Sequence, residues 1–129
     1  IDIIQTKCKP IFQHQYALSK LQSEKYKLAV CSNSIKKTID LMMEKAGLDQ
    51  YLDFKISNQD VKNGKPDPEM YKLAIKRMNL QPKECLILED NENGIKAAIA
   101  SGANLMKIET PLDVSLQNII NKIKELENA

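Results

Sequence analysis

Cys85-Leu86-Ile87-Leu88-Glu89-Asp90 is a short apolar run ending in two adjacent acids, and Asn91-Glu92-Asn93-Gly94-Ile95 leads it directly into a stretch of helical spacing. A buried strand that stops at paired carboxylates and turns at once into a helix reads as one unit of a parallel sheet, with its polar chemistry at the carboxyl end. Three further runs fit the same description: Lys27 to Cys31, Asp53 to Ser57 and Asn104 to Ile108. Around them lie segments of helical period. His14 to Lys25 is one, through Tyr16, Ala17, Leu18 and Leu21. Ile35, Ile39, Met42, Met43 and Ala46 form a second apolar stripe, which Gly47 stops as a C-cap. A third helix opens at Asp67-Pro68-Glu69, where aspartate suits the N-cap and proline the first turn, and buries Tyr71, Ala74, Ile75 and Met78. A fourth runs from Glu92 to Ser101 with Ile95, Ala98 and Ile99 facing in and Gly102 closing it, and a last one presents Leu116, Ile119, Ile120, Ile123 and Leu126. Strands alternating with helices predict an α/β domain built on a parallel sheet.

With 129 residues, 43% of them apolar, the chain fits one domain able to bury a core. The net charge is +2, and the 19 Lys and Arg are dispersed along the sequence, which leaves no footprint for nucleic acid. No apolar run approaches the roughly 20 residues that a membrane helix needs, so no membrane partner is expected and a cytoplasmic location is. The three cysteines, Cys8, Cys31 and Cys85, form no CxxC pair, and the single His14 stands apart from the acids, so no zinc spacing arises. Cys31 and Cys85 read as small buried hydrophobes in strands. The chain begins at Ile1 instead of Met, which suggests an upstream segment.

Ligands of open parallel sheets gather beyond the carboxyl ends of the strands. After the first strand comes Ser32-Asn33-Ser34, just before a helix, where hydroxyl, amide and helix N–H groups could seat a phosphate or could merely cap the helix. The loop after the second strand carries Asn63-Gly64-Lys65-Pro66-Asp67-Pro68, in which two prolines stiffen the support of Lys65. A fixed ammonium can stabilise a transferring phosphoryl group, though the stretch also serves as an ordinary turn into a capped helix. After the third strand, the adjacent Glu89 and Asp90 repel each other and are costly to bury unless a cation offsets them. Mg²⁺ suits such a pair, since it takes one or two carboxylates and shares its other positions with water and phosphate. Capping by Asp90 or Asn91, with Glu89 solvated, is the plainer alternative.

The stretches LAVCSNS, NGKPDPEMY and LILEDNENGIKAAIASGAN resemble the second, third and fourth motifs of haloacid dehalogenase superfamily phosphatases, in the branch of beta-phosphoglucomutase and phosphoglycolate phosphatase. The likeness runs from about Gln15 to Leu112 and implies a Rossmann-like core with a parallel sheet. It implies that Ser32 binds the transferring phosphoryl group with Asn33 beside it, and that Lys65 neutralises charge there. By the same likeness, Glu89 and Asp90 hold Mg²⁺, directly or through its waters, and the substrate is a small phosphorylated metabolite such as a sugar phosphate. The phosphoryl group would pass to an aspartate and then to water, or back to a sugar in the mutases.

Departures from the pattern are equally informative. The family's first motif is DxDxT or DxDxS, and no Asp-x-Asp occurs in this sequence. The nucleophile and the general acid/base are therefore expected on a segment outside the chain, which would be inactive alone. Asn91 stands where serine is common, and the stretch after Lys9-Pro10 lacks the usual Pro-Gly. The expected layout is residues 1–12 as the end of a helical cap or a linker, and 13–129 as the C-terminal part of the core. In the family, the first-motif strand lies between the strands ending at Cys31 and at Leu88. Its absence would leave them about 9.6 Å apart with unpaired inner edges, to be filled by an upstream segment, a swapped chain or rearranged pairing. Two other readings stand beside the hydrolase: a mutase of the beta-phosphoglucomutase type, and a non-catalytic relative that binds phosphate or metal. A two-component receiver is disfavoured, because its acidic pair would have to precede the lysine.

Overall fold

Four short runs of apolar and β-branched residues pair as parallel strands in the computed structural model of the chain, which describes residues 12–128. β1 (Ala29–Cys31) pairs with β2 (Phe54–Ile56), placing Val30 opposite Lys55. β3 (Leu86–Glu89) pairs with β4 (Asn104–Lys107), placing Leu88 opposite Met106. Among the described residues no ladder joins the two pairs, as expected of a core without its middle strand. A cavity of about 600 Å³ is lined from both sides of that division, by Val30 and Cys31 of one pair and Leu86 and Leu88 of the other.

The helices are α1 (Phe12–Ser23), α2 (Lys36–Lys45), α3 (Glu69–Met78), α4 (Glu92–Ser101) and α5 (Leu116–Glu127). They cover both faces of the strands. Ala17, Leu21, Met43 and Ile119 from α1, α2 and α5 build one core with Val30. Met70, Ala74, Ala97 and Ala98 from α3 and α4 build the other with Cys31 and Ile87. Successive strand residues point to opposite faces, so Val30 and Cys31 enter different cores. Full burial of side chains such as Met43 and Ile56 is worth about 1.5–3 kcal/mol each.

The predicted stops hold. Gly47 (φ +72°) and Gly102 (φ +85°) both take the left-handed conformation at helix ends, and Leu48 N–H returns to Met43 O at 2.9 Å. Asp67 accepts from Glu69 N–H at 2.9 Å, although the N-cap position falls to Pro68. Three apolar assignments need correction. Ile35 precedes α2 and is 47% exposed, and Tyr16 is 46% exposed and stacks on Phe12. Ile99 is 64% exposed, because α4 presents Gly94, Ala97, Ala98 and Ser101 instead. Small residues let α4 approach α3 and β3 closely, which a face of isoleucines would prevent. Cys31 is buried in its strand as expected, while Cys85 is half-buried just before β3. The cap end or linker expected at 1–12 lies outside the described residues, save Phe12. No helix among the described residues is long and apolar enough to cross a membrane.

Candidate active site

Lys65 reaches back from the loop after β2 to the ends of β1 and β3. Its peptide bond to Pro66 is cis. Its ammonium donates to Cys31 O at 2.8 Å and to Glu89 Oε2 at 3.0 Å, with the lysine side chain 7% and the glutamate side chain 3% exposed. An ammonium carries three hydrogens, so one remains beyond these two bonds.

Glu89 ends β3 and is closely held. Its Oε2 also accepts from Tyr71 OH at 2.6 Å, and its Oε1 accepts from the N–H groups of Asp90 (3.2 Å) and Asn91 (3.3 Å). Lys65 Nζ lies 5.0 Å from the centre of the Tyr71 ring, within cation–π range. Burial pushes the Glu89 carboxyl up, but the Lys65 charge and the Tyr71 hydroxyl, with the Asn91 N–H, outweigh it and hold the group below the usual carboxylate range. Gly94 completes the support: a Cβ there would lie 2.0 Å from Glu89 Cδ, so the carboxylate occupies the space that any larger residue would need.

Ser32 follows Cys31 and is buried; its Oγ accepts from Ser34 N–H at 3.2 Å. It does not cap α2, whose Lys36 N–H donates to Gln59 Oε1 at 2.9 Å. Asn33 turns toward the Lys65 loop. Its Oδ1 accepts from Lys65 N–H at 2.9 Å and its Nδ2 donates to Lys65 O at 3.1 Å. Asp90 is half-buried beside Glu89, and the cap of α4 belongs to Asn91, whose Oδ1 accepts from Asn93 N–H at 2.8 Å. Burial pushes the Cys31 thiol up to about 11, which keeps it protonated and unsuited to nucleophilic work.

Lys65 thus meets Glu89 through its ammonium and Asn33 through its backbone, with Ser32 and Asp90 next in sequence to these partners. Tyr71 and Gly94 were not singled out by the sequence. Tyr71 reads there as one more buried helix position, and nothing local shows that its hydroxyl meets an acid 18 residues away. Among the described residues no cluster of three His, Cys, Asp or Glu side chains could hold a metal. The donor set still suits Mg²⁺, which needs only one or two carboxylates. Glu89 and Asp90 are the carboxylates that could hold it, Glu89 already accepting four hydrogen bonds.

Comparison with known proteins bears on the fold and the family. The chain is 34% identical over 86 residues to a phosphorylated carbohydrates phosphatase of Thermotoga maritima, covering 67% of the chain and 40% of that protein. It is 32% identical over 81 residues to the fructose-1-phosphate phosphatase YqaB of Escherichia coli, covering 63% and 43%. The fold matches beta-phosphoglucomutase from Clostridium difficile with a TM-score of 0.79 at 21% identity, over 99% of the chain and 61% of that structure. The chain therefore spans less than half the length of these two phosphatases. Residues 2–108 match the haloacid dehalogenase-like hydrolase model, and the chain belongs to that family.

Proposed function

We propose that the complete protein is a magnesium-dependent phosphatase acting on a small phosphorylated metabolite, a sugar phosphate above all, through a phosphoaspartate. The observation that carries this reading is the desolvated Lys65–Glu89 pair at the junction of the β1 and β3 ends, where one ammonium hydrogen remains for a third acceptor. The named activities of the two curated relatives, on phosphorylated carbohydrates and on fructose 1-phosphate, support the substrate class. The nucleophilic aspartate and the acid/base belong to a strand outside this chain, supplied upstream or by a swapped copy, that completes the sheet between β1 and β3.

In this reading the aspartate oxygen attacks phosphorus, the bond to the substrate oxygen breaks, and the acid/base donates a proton to that leaving oxygen. Water, deprotonated by the same group, then attacks the phosphoaspartate and releases inorganic phosphate. Ser32 donates its hydroxyl to a phosphoryl oxygen. Lys65 offsets the charge of both the attacking carboxylate and the phosphoryl group, an effect worth about 3 kcal/mol for one well-placed donor. Glu89 holds the Lys65 ammonium in place. Asp90, with Glu89 as outer support, would hold Mg²⁺, which when bound lowers the repulsion between two anionic reactants.

Phosphate release from sugar phosphates by the complete protein, with and without Mg²⁺, tests the reading. Chelation and Asp90→Asn should each lower the rate about 100-fold with the melting temperature nearly unchanged. Undiminished turnover in the chelated enzyme and in the variant would contradict it.

A further inference from the structure

We infer that Asn33 is a positioning residue, a clamp on the backbone of Lys65, and not a ligand of the phosphoryl group. Both ends of its amide are engaged on one residue, Oδ1 by Lys65 N–H at 2.9 Å and Nδ2 by Lys65 O at 3.1 Å. The two residues lie 32 apart in sequence, so the bond pair ties the loop after β1 to the loop after β2. Gly64 makes the approach possible, since a Cβ at that position would come within 2.6 Å of Asn33 Oδ1. Lys65 is then referenced to the end of β1 at both extremities. Asn33 fixes its backbone, and Cys31 O fixes its ammonium at 2.8 Å. The neighbouring Ser32 therefore keeps a set distance from that ammonium, as a site for one small anion requires.

The kinetic side of this inference rests on the proposed phosphatase activity; the structural side does not. The decisive experiment measures amide hydrogen exchange at Lys65 in the complete protein, beside steady-state phosphate release, for Asn33→Ala and Asn33→Asp. Loss of the acceptor in Asn33→Ala should speed exchange at Lys65 about tenfold or more. Misplacement of the lysine should lower kcat about 10-fold to 100-fold with KM changed less than about twofold. Asn33→Asp keeps an acceptor for the Lys65 N–H and should restore most of the protection. A raised KM, and weaker inhibition by inorganic phosphate, with kcat and Lys65 exchange unchanged would make Asn33 a phosphate ligand and overturn the clamp. A lower melting temperature with unchanged exchange at Lys65 would overturn it too, as ordinary packing. If the complete protein releases no phosphate, the proposed function fails, while the exchange rates still decide the clamp.

Discussion

Two lysines that follow or lie within the same strand, β2, meet carboxylates in opposite settings. Lys55 bridges Asp40, at 2.9 Å, and Asp49 on the surface, with its side chain 20% exposed and theirs 41% and 39%. Burial pulls the Lys55 ammonium down, but its two partners outweigh that and hold it above its ordinary value. Lys65 and Glu89 are almost wholly desolvated, a setting in which an ion pair is weak support for a fold and an apolar pair would serve as well or better. Surface pairs such as that of Lys55 cost little to make and give little in return. The contrast bears on the proposed chemistry: a buried pair at strand ends, braced by Tyr71 and accommodated by Gly94, is the arrangement that the proposed phosphoryl transfer would use.

The largest effect that would sharpen this contrast is on stability. Lys65→Met leaves the Glu89 charge buried and should destabilise the complete protein by about 3 kcal/mol or more, read from urea denaturation. Adding Glu89→Gln, which removes the charge and keeps an acceptor for Tyr71, should recover at least half of the loss. The pH dependence has a definite sign. The folded carboxyl is held low, so its contribution is complete above the unfolded value of about 4.3 and is lost as pH falls through the lower folded value. The stability gap between the unmodified protein and Glu89→Gln should therefore close only in acid below that range. At the small end, Lys55→Ala should cost less than about 1 kcal/mol, and less again in 1 M salt. Equal losses at Lys55 and Lys65 would break the comparison.

Much of the fold is legible because its signals are local. The β-branched and apolar runs place all four strands within two residues, and Gly47 and Gly102 mark helix ends through their backbone freedom. Composition hides what depends on close approach: α4 packs through Gly94, Ala97 and Ala98, so Ile99, the larger hydrophobe, is left outside. At the site, residue types and their place after strands single out Lys65, Glu89 and Ser32. Their partners are another matter. The sequence presents Tyr71 as a core aromatic and Asn33 as a neighbour of the phosphate seat, and only tertiary structure shows the first meeting Glu89 and the second the Lys65 backbone. Nonlocal hydrogen bonds leave no periodic trace in a sequence.

The most direct measurement is the rate of phosphate release by the complete protein carrying Lys65→Met or Lys55→Met, each normalised to its folded fraction. A loss of about 100-fold or more at Lys65, with Lys55 within about twofold of the unmodified enzyme, is the expected result. Near-full activity in Lys65→Met, or equal losses in both, would contradict the assignment of the buried pair to phosphoryl transfer.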